Sequence, residues 1–127
     1  MFIDSLLEIF RRHENLPVYL DGLPKFTVNI VTFCSYPDGG APYKLALAHV
    51  KDDIQPVLKA GKIREILLRY SEDYRESVLA IYGSDTIDGY VTKHYYIEMV
   101  DADNQYPKHL LLVDRAPSKR IRFIQFR

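Results

Sequence analysis

This sequence is poor in cysteine, in tryptophan and in long apolar runs, and these absences exclude several classes of protein. Cys34 is the single cysteine, so the chain holds no intrachain disulfide. The longest aliphatic runs, such as 110–113, have four residues, whereas a membrane-spanning helix needs about 18 to 20. The chain does not open on the charged-then-apolar pattern of a secretory signal. We therefore expect a cytoplasmic protein, from a reducing compartment, with no membrane partner.

A net charge is also lacking, because 17 basic side chains balance 17 acidic ones. Neutrality is not typical of a protein whose whole surface binds nucleic acid. The charge is nevertheless uneven, since residues 115–127 contain five basic residues and no acid. We call these five the basic C-terminal patch: Arg115, Lys119, Arg120, Arg122 and Arg127. They suit three roles, namely protection of an edge strand, contact with a protein partner, or contact with nucleic-acid phosphates.

What the chain does contain is typical of a folded domain. Apolar residues make up 47% of the sequence and charged residues 27%, close to the average for globular proteins. The length of 127 residues predicts one domain, 1–127, that is large enough to bury a core. Tyrosine is abundant, at ten residues, and tyrosine and arginine are enriched at protein interfaces.

Two segments show the three-and-four spacing of an amphipathic helix. The first has its apolar face at four positions, Ile3, Leu6, Leu7 and Phe10. Ser5 and Glu8 have the spacing of a capping box for this helix. The second helical segment is predicted to begin at a cap on Asp52 or Asp53 and to carry Pro56 in its first turn. Its apolar stripe lies within 63–70, a run that also suits a strand.

The remaining apolar runs predict strands at 26–33, 43–50, 78–82, 90–100, 110–113 and 120–127. The first two flank a segment dense in turn-forming residues, so they predict a hairpin. Together the elements predict an α+β fold. Its two helical segments are expected to pack on one face of a mostly antiparallel, five- or six-stranded sheet.

A polar and aromatic row follows from alternation along 90–100. One face of this predicted strand carries Tyr90, His94, Tyr96 and Glu98. The opposite face carries Tyr95, Ile97 and Met99 and is the better core face. An imidazole between phenols, with a carboxylate nearby, suits a small polar ligand, proton transfer or a protein interface. The same pattern is also typical of a solvated sheet surface.

The other polar residues predict no metal or cofactor site. The acidic turn at 101–104 resembles the start of a calcium loop, but Tyr106 and Leu112 stand where that loop needs glycine and glutamate. The four histidines show no zinc-ligand spacing with cysteine or acids. Cys34 lacks a neighbouring base, because a simple hairpin places His49 opposite 26–28.

The function predicted from these features is binding without catalysis. We expect a small intracellular adaptor, inhibitor or regulator that acts through a protein interface or through self-association as a homo-oligomer. The first alternative is a small-ligand-binding protein or cofactor-free enzyme with a pocket around His94. The second alternative is nucleic-acid binding through the basic C-terminal patch.

Overall fold

The computed structural model describes residues 2–22, 24–34, 44–50, 56–70, 78–82, 90–92 and 95–114. Within these ranges the chain forms two helices and eight strands. In chain order they are α1 (Ile3–Arg12), β1 (Val18–Leu20), β2 (Phe26–Thr27), β3 (Ile30–Cys34), β4 (Lys44–Ala48), α2 (Ala60–Tyr70), β5 (Leu79–Tyr82), β6 (Tyr90–Thr92), β7 (Tyr95–Val100) and β8 (His109–Asp114). Neither of the described helices is long and apolar enough to cross a membrane.

The described strands form two sheets of four rather than one sheet, and the predicted strand 120–127 lies outside the described residues. The first sheet has the order β2-β1-β8-β7, and the second has the order β3-β4-β5-β6. Each contains a central parallel pair, β1 with β8 and β4 with β5, flanked by antiparallel neighbours. The α+β class and the mostly antiparallel pairing are therefore confirmed, whereas the prediction of a single five- or six-stranded sheet is wrong.

The sheet is divided because two predicted strands change partners part-way along. The run 26–33 begins in the first sheet as β2 and continues in the second as β3. The Val28 N–H donates to the carbonyl of Val18 at 2.7 Å, whereas the Asn29 N–H donates to that of Ala48 at 3.1 Å. Residues 90–100 are likewise divided between β6 and β7, which belong to different sheets. Alternation correctly predicts extended backbone here, but it carries no information about the pairing partner.

Helix α1 forms as its apolar spacing predicts. All four positions of the predicted face, Ile3, Leu6, Leu7 and Phe10, are buried. The capping box is wrong, because Phe2 is the N-cap residue and makes no side-chain cap hydrogen bond. Glu8 instead lies one turn before Arg11 and pairs with it at 2.7 Å. Basic residues in the last turn suit the negative end of the helix dipole.

Helix α2 begins at Ala60, so the prediction of Pro56 in its first turn is wrong, and the predicted caps at 52 and 53 lie outside the described residues. Its first amides are satisfied by the chain that follows α1. The N–H of Ala60 donates to the carbonyl of Leu16 at 2.8 Å, and that of Gly61 donates to the carbonyl of Glu14 at 2.9 Å. A Cβ on Gly61 would lie 3.0 Å from the Glu14 Cβ, so glycine permits this close approach.

The hydrophobic core joins both helices to both sheets. Its fully buried side chains include Phe10 and Leu6 of α1, Ile63 and Leu67 of α2, Leu20 and Leu112 of the first sheet, and Leu47 of the second. The predicted hairpin of β3 and β4 is confirmed, with Ile30 opposite Ala48 and Cys34 opposite Lys44. The core thus includes β1 and β8, the central pair of the first sheet.

Candidate functional site

The connection between β7 and β8, residues 101–108, is held in shape by one aspartate. The Asp103 Oδ1 accepts the N–H of Gln105 at 2.8 Å and that of Tyr106 at 2.7 Å. The Asp103 N–H in turn donates to the carbonyl of Tyr106 at 2.9 Å. The two amide donors lower the pKa of Asp103, because they stabilise its ionised form. This arrangement confirms the predicted turn and fixes the position of the Tyr106 side chain.

Strand β8 is buried on both faces. Leu110 and Leu112 belong to the hydrophobic core, whereas the alternate residues His109 and Leu111 are buried outside that cluster. The ring of Tyr19, from the neighbouring β1, lies 4.6 Å from the His109 ring between centroids. Tyr106 packs edge-on against Tyr19 at 5.5 Å, so the 101–108 connection covers this second face.

His109 is fully buried, and both of its ring nitrogens have partners. Nδ1 lies 2.7 Å from the carbonyl oxygen of Pro107. A carbonyl only accepts, so Nδ1 carries the proton and Nε2 is the acceptor. The Lys25 Nζ, 3.2 Å from Nε2, therefore donates to a neutral imidazole. We call the group formed by Tyr19, Lys25, Tyr106 and His109 the Lys25 site.

Lys25 has a second attachment to this site. Its backbone N–H donates to the Tyr106 hydroxyl at 3.2 Å, and its ammonium lies 4.9 Å from the centroid of the Tyr106 ring. Such a cation–π contact is worth about 0.5–1 kcal/mol at a partly exposed position. The ammonium has three N–H groups, of which His109 accepts one. Lys25 is therefore held at its backbone and at its ammonium, and the ammonium still has N–H groups that can donate to a ligand.

A cavity of about 420 Å³ opens beside the lysine, lined by Gly22, Pro24, Lys25, Gln105 and Tyr106. Three of these residues carry hydrogen-bond donors. The donors are the Lys25 ammonium, the side-chain amide of Gln105 and the Tyr106 hydroxyl. The Tyr106 hydroxyl accepts from the Lys25 N–H, and this bond does not use the hydroxyl's own hydrogen. A concave site that converges donors and a positive charge is complementary to an oxyanion.

Two groups near the cavity, Tyr19 and Asp103, have shifted pKa values. Burial, with a smaller contribution from Tyr106, raises the pKa of Tyr19, so its hydroxyl stays neutral. Asp103 is the nearby acid, and the charge of Lys25 also contributes to lowering its pKa.

The predicted polar row is distributed over both sheets. Tyr90 begins β6 in the second sheet, whereas the half-buried Tyr96 and the exposed Glu98 lie in β7 of the first. His94 and the whole basic C-terminal patch, from Arg115 to Arg127, lie outside the described residues. On the opposite face of β7, Tyr95 is buried as predicted, but Met99 is 47% exposed.

Cys34 and His49 lie at different places in the β3–β4 hairpin. Cys34 is opposite Lys44, whereas the Nδ1 of His49 donates to the carbonyl of Thr27 at 2.9 Å. His49 therefore contacts Thr27, within the predicted range 26–28, and lies at the far end of the hairpin from Cys34. Within the described residues no three histidine, cysteine, aspartate or glutamate side chains are placed to share a metal ion.

Sequence reasoning missed the Lys25 site. Lys25 follows Pro24 in a segment for which the sequence pattern predicts neither a helix nor a strand, and β1 is a three-residue strand between turn-forming residues. Lys25 and His109 are 84 positions apart, so no local pattern links them. The one available signal was the position of His109 at the start of an otherwise apolar strand, where a buried imidazole needs a polar partner.

The fold and this site define an α+β protein with two mixed sheets and a lysine held between an imidazole and a phenol ring. No protein-family model, curated protein or solved structure matches the chain.

Proposed function

We propose that this chain is a non-catalytic binding protein and that the Lys25 site receives a carboxylate of a protein partner. The observation that carries the proposal is the hydrogen bond from the Lys25 Nζ to the His109 Nε2 at 3.2 Å. It holds an ammonium at the edge of a cavity before any ligand arrives. A lysine that is already ordered loses less side-chain entropy on binding, so more of the interaction contributes to affinity.

The state of His109 favours binding over acid–base catalysis. A general base needs a lone pair within reach of a substrate proton. The His109 lone pair is directed at Lys25, its N–H is directed at Pro107, and the ring is fully buried. His109 therefore positions Lys25 and does not meet the ligand.

The chemistry of the lining favours a carboxylate. The cavity presents donors from Lys25, Gln105 and Tyr106, which suits an acceptor with two oxygens. The ring of Tyr106 adds an apolar wall for the carbons next to that carboxylate. An aspartate or glutamate side chain of a partner has both parts.

The partner is either another protein or a second copy of this chain, acting with it as an adaptor, inhibitor or regulator in the cytoplasm. Native mass spectrometry separates the two cases, since a homo-oligomer has a mass that is a multiple of 14.8 kDa. His94 and the basic C-terminal patch lie outside the described residues, so the enzyme and nucleic-acid alternatives stay predictions.

An NMR titration with a capped aspartate, N-acetyl-aspartic acid amide, tests the site at residue level. We expect the backbone amides of Lys25, Gln105 and Tyr106 to shift together, because these residues line the cavity. The matched ligand control is N-acetyl-asparagine amide, which has the same shape without the charge. Equal shifts with both ligands would exclude carboxylate recognition.

A pair of variants tests the role of the ammonium. Lys25→Met removes the charge and keeps the length of the side chain, and we expect it to abolish the aspartate-dependent shifts. Lys59→Met is the control, because Lys59 is an exposed lysine elsewhere in the fold. The proposal is wrong if Lys25→Met binds the capped aspartate as the parent protein does.

A further inference from the structure

A second cavity, distinct from the Lys25 site, lies where α1 ends. Its volume is about 540 Å³, within the range of small-molecule pockets. It is lined by Arg11, Arg12, His13, Glu14, Asn15 and Leu16, and by Lys108 from the 101–108 connection. We call it the Arg12–Lys108 cleft.

Positive charge dominates the lining of this cleft. Arg11, Arg12 and Lys108 carry three positive charges, whereas Glu14 is the acid in the lining. Glu8, outside the lining, compensates Arg11 by accepting from its Nη2 at 2.7 Å and its Nε at 3.1 Å. Arg12 meets the same carboxylate only through Nε, at 3.4 Å. Arg12 and Lys108 are therefore the cations with donors left for a ligand.

The end of a helix normally disfavours anions, because its last carbonyls carry partial negative charge. Here four carbonyls in and beside the cleft are occupied. That of Ile9 accepts from His13 and that of His13 accepts from Leu16, while those of Glu14 and Leu16 accept from the first amides of α2. The last two of these bonds attach Glu14 and Leu16 of the lining to a second helix.

We propose that the Arg12–Lys108 cleft binds a phosphate-bearing small molecule. The planar guanidinium of Arg12 donates two parallel hydrogen bonds to phosphate oxygens, and Lys108 adds a point charge from a chain segment 96 positions away. The two cations come from different elements, so they meet a common ligand only in the folded protein. A multiply charged phosphate gains more from this arrangement than a single carboxylate does.

The test is a titration of the full chain with inorganic phosphate, pyrophosphate and adenosine triphosphate, followed by NMR and calorimetry. We expect the amides of Asn15, Leu16 and Lys108 to shift, with affinity rising from phosphate to the larger anions. Tight binding of inorganic phosphate alone would identify a free-phosphate site, whereas preference for the nucleotide would identify a phosphate ester as the ligand. Binding of none of the three would overturn the proposal.

Two double variants with the same loss of charge control for general electrostatics. Arg12→Gln with Lys108→Gln should weaken binding at least about tenfold, because each removes a charge-assisted hydrogen bond. Lys62→Gln with Arg69→Gln removes two exposed α2 cations that pair with Glu65, and it should leave binding within about twofold. Equal weakening by both pairs would refute a specific site.

The Lys25→Met variant keeps this inference separate from the carboxylate site. It should retain phosphate binding, because Lys25 does not line the Arg12–Lys108 cleft. A salt-sensitive preference for a single-stranded oligonucleotide over all three small anions would also overturn the assignment, since it would indicate a nucleic-acid surface.

Discussion

Asn29 should be among the most sensitive polar residues of the fold, because it lies where the chain passes from the first sheet to the second. The side chain is 5% exposed. Its Nδ2 donates to the carbonyl of Val50 at 2.7 Å, and its Oδ1 accepts the N–H of Val50 at 2.8 Å. The amide thus satisfies both backbone groups of one residue and ties the end of β4 to the sheet change.

The size of the effect follows from these two bonds. Each contributes about 0.5–1.5 kcal/mol net, and an unpaired backbone group in a poorly hydrated place costs about 1–3 kcal/mol more. Val50 is half-buried, so water repairs part of that loss. We expect Asn29→Ala to lower the free energy of unfolding by about 2–4 kcal/mol in urea denaturation. A loss below about 0.5 kcal/mol would refute the argument.

Asn29→Asp adds a dependence on pH. An ionised carboxylate still accepts from the Val50 N–H but meets the Val50 carbonyl with an oxygen, so burial and repulsion raise the pKa of the introduced carboxyl group in the folded state. A group with a raised folded pKa contributes stability below its unfolded pKa, about 3.9, and loses it as pH rises through the folded pKa. The variant should therefore be closest to the parent protein near pH 4 and weakest at neutral pH.

Three further outcomes follow from single residues. Gly61→Ala should destabilise the protein by about 1 kcal/mol, because the alanine Cβ would lie 3.0 Å from the Glu14 Cβ. Elsewhere in a helix the same substitution normally stabilises by about that amount. An unchanged or raised Tm in thermal unfolding would contradict the close contact. Tyr95→Phe should be neutral or stabilise by up to about 1 kcal/mol in urea, since its buried hydroxyl has no hydrogen-bond partner among the described residues; a clear loss of stability would indicate such a partner. The backbone amide shifts of Gln105 and Tyr106 should change with pH only below about 3.9, the ordinary pKa of an aspartate, because the pKa of Asp103 is lowered and its carboxylate stays ionised above that pH. An NMR titration with a midpoint above about 3.9 would contradict the role of Asp103 in the turn.

The elements of this fold were largely predictable, because they depend on local patterns. The apolar stripe of α1 and the strand β5 follow from spacing and residue type alone. Strand β1 was missed, since three residues between turn signals do not establish a period. The start of α2 was also misplaced. Its first amides are satisfied by carbonyls of Glu14 and Leu16, more than 40 positions away, and not by a local cap.

The arrangement of the elements was not predictable, because it depends on pairing across the chain. Val28 and Asn29 read as the middle of one strand, yet their N–H groups donate to strands of different sheets. The same limitation applies to the polar row of Tyr90, Tyr96 and Glu98, which assumed one strand across 90–100. The alternation of side chains predicts which residues share a face of one strand. It does not predict which strands become neighbours, and a site depends on both.

The Lys25 site can exist only when the two ends of the described chain have come together. Strand β1 is parallel to β8, with Val18 beside Leu110, and this register places the Tyr19 ring against His109. Lys25 then needs the 101–108 connection folded over that pair to reach both Tyr106 and His109. Parallel pairing between segments about 90 positions apart has a high entropic cost and is completed only with the core. The ammonium is therefore positioned by the global fold and not by a loop that orders on its own, so the binding proposed for this site should be lost together with the fold.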